Sequence, residues 1–388
     1  MKYIKTILFV GILISVFLTG CGDSSGSASC SGTQAQGWSG FVKYKQVLCF
    51  GSMEGRVIAI DPVARSENKT YPAANEWSYL IKTSVPGSAC GAMCSPSSGT
   101  SQGIYDTPAV TGGLVYVGTY NGKIYAINAD RGVVRWIFPR ESYETVGSII
   151  ADIVTDGQNL YFVSSNRKIY SIDAATGDFR WEHETEGKIW VAPAIDNGVL
   201  YAGNYAGEVL ALDADTGKTL WSIKVPSAVS SSLTVFKNSL YFGTFDRNLY
   251  SIDKNSGREI WKFTGGNWFW AKPIVDNGRI YAACLDHKVY SLDASTGKEL
   301  WQFETAGPVI APIALTDSYV LAVCDKGILY KIKAENGTLE KEMPIGFTVM
   351  SPPYTDGDMV YIYARDHNVY AVDTATGTIK WKFSSFLK

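Results

Sequence analysis

Asp213-Ala-Asp-Thr-Gly-Lys-Thr-Leu-Trp221 is followed by Asp253-Lys-Asn-Ser-Gly-Arg-Glu-Ile-Trp261 and then by Asp293-Ala-Ser-Thr-Gly-Lys-Glu-Leu-Trp301, at a constant interval of 40 residues. Two further copies run from Asp173 to Trp181 and from Asp373 to Trp381. Weaker copies fill the gaps. Asn128 to Trp136 lacks the leading Asp, Lys333 to Lys341 has lost both Asp and Trp, and Asp61 opens a copy whose turn is interrupted and whose displaced Trp is Trp77. A fixed period of this length is the mark of a repeat architecture, in which each unit buries its faces only against its neighbours.

The residues inside one copy alternate with period two. Val199-Leu-Tyr-Ala-Gly203 and Glu208-Val-Leu-Ala-Leu-Asp213 flank the turn Asn204 to Gly207. Turns containing Asn121-Gly122, Glu54-Gly55 and Lys326-Gly327 recur at the same place, as tight hairpins require. In Asp-x-x-Thr-Gly the carboxylate accepts backbone N–H bonds and the Gly takes the left-handed position. A Trp strand follows, then a lead-in such as Trp190-Val-Ala-Pro193. Four short strands per copy, with no helical stretch after residue 20, predict an all-β chain: an eight-bladed β-propeller of four-stranded antiparallel blades over residues 38–388, with an insertion at about 62–104. Trp136, Trp181, Trp221, Trp261, Trp301 and Trp381 are its expected inter-blade packers. The Lys341 copy predicts a looser seam.

The N-terminus reads differently. Lys2 and Lys5 precede an apolar run, Thr6 to Phe17, that ends in Leu18-Thr19-Gly20-Cys21. This resembles the bacterial lipobox: residues 1–21 form a lipoprotein signal peptide and Cys21 carries the lipid. Gly22, where Asp is absent, favours the outer membrane in a host that has one. Residues 22–37, rich in Ser and Gly, read as a flexible tether. The expected setting is a membrane-anchored lipoprotein facing outside the cytoplasm, in the periplasm or at the cell surface. With 35 basic against 37 acidic residues, the chain lacks the basic excess of a nucleic-acid binder.

Asp-Ala-x-Thr-Gly-Lys-x-x-Trp, at Asp213–Trp221 and Asp293–Trp301, resembles the tryptophan docking motif of pyrroloquinoline quinone (PQQ) repeat propellers, and the resemblance covers nearly all of residues 38–383. Two groups share that motif: the quinoprotein alcohol and glucose dehydrogenases, and the BamB-type lipoproteins, scaffolds of outer-membrane β-barrel assembly. Lipobox, compact length and eight repeats make this chain similar to the second group. That likeness implies a monomeric, non-enzymatic scaffold with envelope proteins as partners and no cofactor. The first group implies PQQ stacked on a disulfide of adjacent cysteines and Ca²⁺ held by carboxylates and amides. No Cys-Cys dipeptide is present and no local Asp/Asn cluster offers the six or more oxygens that Ca²⁺ takes. PQQ with Ca²⁺ remains the alternative reading, and a small-ligand sensor is a third.

Other constellations are sparse. Cys90 and Cys94 stand with three residues between them in the insertion, where a local disulfide is the plain expectation for an exported chain. Cys49, Cys284 and Cys324 fall on strands and are expected as free thiols; no pairing is assigned to Cys30. His287 and His367 occupy equivalent hairpin turns, as exposed turn residues. No nucleophilic triad, P-loop or His-rich metal spacing appears. One aromatic set stands out. Aligned on the repeat, Trp38, Tyr105, Ile150, Trp190, Ser230, Trp270, Ile310 and Met350 share one register at the first strand of each blade. Two readings are open: a ring lining the central channel, or packing between blades. Trp268-Phe269-Trp270 breaks strict alternation, so one of these rings must face a cavity, loop or partner; Trp268 to Lys272 is the best surface candidate.

Overall fold

The computed structural model describes residues 39–81, 103–141 and 146–387. Thirty-two strands, from β1 (Phe41–Tyr44) to β32 (Thr378–Ser384), pair as eight antiparallel sheets of four among these residues. Each sheet takes its strands in plain chain order. Blade 1 runs from Phe41 to Leu80, blade 2 from Ala109 to Phe138, and blade 3 from Val154 to Glu184. Blades 4 to 8 then follow at the 40-residue interval, starting at Ala194, Thr234, Ile274, Ala314 and Tyr354. The predicted eight-bladed propeller is what forms.

The core lies between sheets. Its middle strands are buried along their length, as in Leu200 to Ala202 and Val209 to Leu212, while outer strands such as Glu259–Thr264 are mostly exposed. The seams share a joint. Trp181 Nε1 donates to Ala214 O of the next blade at 2.9 Å, and Trp77, Trp136, Trp221, Trp261 and Trp301 do the same to Ala129, Ala175, Lys254, Ala294 and Ala334. Trp77 is therefore the displaced docking residue of blade 1. Trp381 is buried as well, packing against blade 1 beside Tyr361.

The turn that receives the indole explains its sequence. Asp213 Oδ1 accepts Thr216 N at 2.9 Å and Thr216 Oγ1 at 2.7 Å. Gly217 then turns at φ +69, and a Cβ there would stand 2.7 Å from the Trp181 ring. Only glycine meets both demands: a left-handed backbone and an indole lying flat on it. The aspartates are correspondingly acidic. Hydrogen bonds from the Ser295 and Thr296 side chains and N–H groups hold the Asp293 carboxyl down to about 2.

Blade 7 rebuilds the joint with lysines. Blades 2, 5 and 6 place a Tyr hydroxyl on the next blade beside the Trp, as Tyr241 OH does to Ala294 O at 3.0 Å. Blade 7 has Leu321 at that position. Instead Lys331, 9% exposed, donates to Thr374 O at 3.2 Å, its ammonium 4.2 Å from the Tyr319 ring centroid. Lys341 Nζ donates to Ala375 O at 2.7 Å where an indole would stand. The seam is refilled rather than left open, at the cost of drawing a cation out of water. Restoring the repeat with Leu321→Tyr, Lys331→Ser and Lys341→Trp together should raise the urea midpoint of unfolding; a lower midpoint in an equilibrium melt would show that the lysines fit this seam better than the aromatics.

Blade 1 departs from the repeat and corrects the expectation of no helix. In place of Thr-Gly, Asp61 caps a short helix, α1 (Pro62–Ser66), accepting Val63 N at 2.9 Å and Ala64 N at 3.3 Å, with Pro62 at the first helical position. The stretch of about 62–104 thus divides around the strand Trp77–Leu80. Residues 82–102 lie outside the described residues.

This loop closes the ring. Arg65 pairs with Glu76 at 2.8 Å, both buried, and its guanidinium stands 5.7 Å from the ring centroids of Tyr71 and of Phe383 in blade 8. No blade combines strands from both chain ends, so closure between blades 8 and 1 depends on side chains. Met53 N donates to Tyr363 OH at 3.0 Å, Lys43 pairs with Asp356 at 2.5 Å, and Arg56 reaches Leu387 O at 3.3 Å. His367, expected as an exposed turn residue, is half-buried here with Nδ1 on Glu54, whereas His287 is exposed. The requirement to bridge two blades overrides the turn position.

Candidate functional site

At one mouth of the channel, a backbone clip repeats from blade to blade. The tip of the hairpin between the second and third strands donates to the segment leading into the first strand. Tyr205 N bonds Lys188 O at 2.9 Å, Phe245 N bonds Ala228 O at 3.0 Å, and Leu285 N bonds Trp268 O at 3.0 Å. Ser165, Asp325 and Arg365 repeat it on Ser148, Pro308 and Thr348. The backbone is constant, so the character of the mouth is set by which side chains occupy these two positions.

In blades 4 to 6 aromatic side chains gather here: Tyr205 and Phe245 at the tips, Trp268 at a lead-in position, and Trp190 and Trp270 two residues beyond Lys188 and Trp268. Trp190 lies 5.0 Å from Tyr205 between ring centroids, and Tyr205 lies 5.5 Å from Phe245. Phe245 in turn meets Trp268 at 4.8 Å and Trp270 at 6.0 Å, close to edge-on in both cases. Phe269 points the other way, 1% exposed, into the packing around Phe263 and Tyr290. The broken alternation of Trp268-Phe269-Trp270 is thereby resolved: Phe269 serves the core, while Trp268 is half-buried and Trp270 remains 36% exposed. Desolvation raises the Tyr205 hydroxyl well above its ordinary range, so this ring acts as an apolar surface.

The aligned register is corrected in one respect. Its residues precede the first strands, which begin only at Ala109, Val154, Ala194, Thr234 and onward, because the Pro- and Ser-containing lead-ins pair only through isolated bridges such as Val229 with Thr244. Tyr105 is 4% exposed and meets Tyr120 at 5.8 Å between ring centroids, tilted, apart from the crescent. Trp38, Cys21, Cys30, Cys90 and Cys94 lie outside the described residues. Cys49, Cys284 and Cys324 are buried free thiols, and burial pushes Cys49 and Cys284 up to about 12, which leaves them inert as nucleophiles. Tyr205 and Phe245 were missed in the sequence. The signal for them was available: the hairpin-tip position reads Tyr120, Ser165, Tyr205, Phe245, Leu285, Asp325, Arg365, aromatic in three of these seven copies.

Two acids lie near the channel wall. Asp106 is fully buried. Its Oδ2 accepts Gly118 N at 2.7 Å, the role that the hydroxyls of Ser39 and Ser231 play in blades 1 and 5, and Oδ1 has no partner. Desolvation first, and then the charge of Asp152, raise its pKa well above the carboxylate range. Asp152 is raised by desolvation too, against the Thr107 N–H bond at 2.7 Å and the Lys272 ammonium. A carboxyl raised on folding binds its proton more tightly in the folded chain. Its contribution is therefore full below the unfolded pKa and is lost as pH rises through the folded one. Asp106→Asn keeps the Gly118 acceptor and removes that loss, so its melting temperature should exceed that of the parent at pH 7 and match it near pH 4. An equal gap at both values would remove Asp106 as the cause.

Among the described residues, none gather as a quinone–calcium centre would require. The repeat aspartates are engaged in their turns, and no cluster of three or more His, Cys, Asp or Glu stands ready for a metal among the described residues. Ser385 Oγ and His367 Nδ1 meet on Glu54, but the hydroxyl bonds the carboxylate and the His367 carbonyl rather than the imidazole, so no nucleophile is activated.

Residues 101–374 match the family described as "Beta-alanine-activating enzyme, beta-propeller". The outer membrane protein assembly factor BamB of Legionella pneumophila (strain Paris) is 27% identical over 101 residues, which are 26% of this chain and 24% of that protein. The BamB of Yersinia pestis is 30% identical over 102 residues, covering 26% and 24%, and that of Moranella endobia (strain PCIT) 24% over 157, covering 39% and 37%. The chain spans about a quarter of the length of the first of these relatives. Among solved structures, BamB from Moraxella catarrhalis superposes with a TM-score of 0.68 at 16% identity, over 85% of this chain and 95% of that one. The computationally designed Ika8 protein gives 0.71 at 15%, over 87% and 96%. At such identities these two speak for the fold.

Proposed function

The chain belongs to the β-propeller family of the beta-alanine-activating enzyme, and from that premise we propose that it is a non-enzymatic, protein-binding scaffold of the cell envelope, anchored through lipid on Cys21. The observation that carries this reading is the aromatic crescent, five touching rings with Trp270 exposed. Trp270 stands exposed at the edge of this cluster, and Trp and Tyr dominate the energetics of protein contacts. The absence of an activated nucleophile among the described residues and the engagement of the repeat aspartates in turns support a binding role over catalysis. Similarity to the BamB proteins supports outer-membrane protein assembly as the process and envelope proteins as the partners.

The deciding experiment is a cross-linking pulldown of the lipidated chain from its own membranes. Recovery of barrel-assembly components is the expected result. Strong recovery of other partners in their absence would remove the assembly role. Cys21→Ser should release the chain from the membrane fraction; retention of that variant would contradict the anchor.

A further inference from the structure

We propose that the cleft between blades 2 and 3, at the opposite strand ends from the aromatic crescent, binds a short neutral oligosaccharide. The inference goes beyond the scaffold reading and does not depend on it. The cleft measures about 1030 Å³ and opens where the turn from Thr111 to Leu114 in blade 2 stands across from Asp173, Ala174 and Ala175 in blade 3. That volume lies at the upper end for a small-molecule site. The repeat explains why this seam is open. Between blades 4 and 5, Lys254 spans the same layer to Asp196 at 2.5 Å. Arg279 spans it between blades 6 and 7, reaching Ala334 O at 3.0 Å, and Lys331 between blades 7 and 8, reaching Thr374 O at 3.2 Å. Between blades 2 and 3 the corresponding residues are Ala174, Leu114 and Ala126, and none carries a polar group across the gap.

The lining decides the class of ligand. Asp130, Asp173 and Asp215 border the cleft, against Arg135, Arg180 and the Lys45 ammonium that reaches Asp130 from blade 1 at 2.6 Å. Arg180 pairs with Asp173 at 2.6 Å. Formal charge is balanced, acid for base, so the cleft selects neither an anion nor a cation. Its unspent capacity is neutral hydrogen bonding. The Gln158 side-chain amide makes no hydrogen bond among the described residues, and Asn159 spends its amide nitrogen on Asp156 and Tyr161 while its Oδ1 accepts nothing. The Ser171 hydroxyl, 1% exposed on the cleft floor, has no partner. The same hydroxyl is unpartnered at Ser251 and Ser291, so the repeat tolerates it; at Ser171 it has a cleft to face. Amides and hydroxyls each offer both a donor and an acceptor, which a polyhydroxylated ligand matches. A charged ligand would surrender hydration with no opposite charge in surplus, and an apolar one would strand these groups.

The test is calorimetric titration of the full lipidated chain in detergent with maltotriose, cellotriose and triacetylchitotriose, with trigalacturonate as the anionic control and triglucosamine as the cationic one. A neutral trisaccharide should bind with millimolar affinity or better, and neither charged one as tightly. Gln158→Ala with Ser171→Ala should weaken that binding about tenfold, the loss of two neutral hydrogen bonds. The fold accepts the second change, since Ala126, Ala211 and Ala371 occupy the position in other blades. Thr111→Asp with Ala174→Lys copies the Lys254–Asp196 bridge into this seam and should abolish binding while circular dichroism shows the propeller intact. If that bridge variant misfolds, the Gln158 and Ser171 pair decides alone. Silence from all three neutral sugars, tighter binding of either charged one, or undiminished affinity in the alanine pair or in a folded bridge variant overturns the inference.

Discussion

Trp181→Ala lowers the free energy of unfolding by about 3–5 kcal/mol, the range for deleting a large buried aromatic. The indole is 8% exposed, lies 6.0 Å from Tyr161 between ring centroids, and covers the Gly217 backbone of the next blade. Its loss strands Ala214 O, which accepted the Nε1 proton at 2.9 Å. The cavity cannot collapse easily, because the turn beneath is locked by Asp213 and Thr216. Trp221→Ala should cost less, its indole being only partly buried with Ile223 beside it on Gly257. Urea titration followed by circular dichroism measures both. A Trp181→Ala loss below about 1 kcal/mol would mean that the indole joint is not what holds the blades.

Glu76→Ala should be comparably damaging, at about 3–5 kcal/mol, because it leaves a buried cation without its partner. Glu76 accepts Arg65 Nη2 at 2.8 Å, Ala73 N at 2.7 Å and Asp61 N at 3.0 Å, so one carboxylate holds helix, loop and strand end together. The Arg65 plane then rests on Phe383 across the closing seam. Introducing Arg65→Met with Glu76→Gln should recover much of the loss, since neither charge then remains buried. The same titration decides. A double variant as weak as Glu76→Ala would place the effect in loop geometry rather than in the unpaired charge.

The sequence was most legible where the structure repeats. Asp213, Thr216, Gly217 and Trp181 form one mechanical unit, and their spacing announces it because turn and indole must coincide in every blade. Trp77 could be placed despite its displaced position, since its seam still needed an indole. Where copies diverge, reading failed for physical reasons. Lys341 looked like a missing part; only coordinates reveal that Lys331, from another strand, occupies the space left by Leu321. Helix α1 escaped notice because Asp61-Pro62 reads equally as a turn or a cap. Tyr205 and Phe245 went unremarked because alternation accounts for strands, whereas these rings sit at hairpin tips whose side chains the period leaves free. Asp106 follows the same logic: the repeat fixes an acceptor for Gly118 N but not whether a hydroxyl or a carboxylate provides it.

Every sheet here is one uninterrupted stretch of chain, closed on its neighbours without a shared strand. Whole units can therefore be gained or lost by duplication or deletion of one 40-residue segment, with no hairpin left unfinished and no terminus displaced from its place in a sheet. Architectures that stitch first and last strands into a common blade lack that freedom. In this molecule, copy number is limited only by the wedge angle each unit contributes to a full turn, and by the single specialised boundary where the earliest and latest units meet.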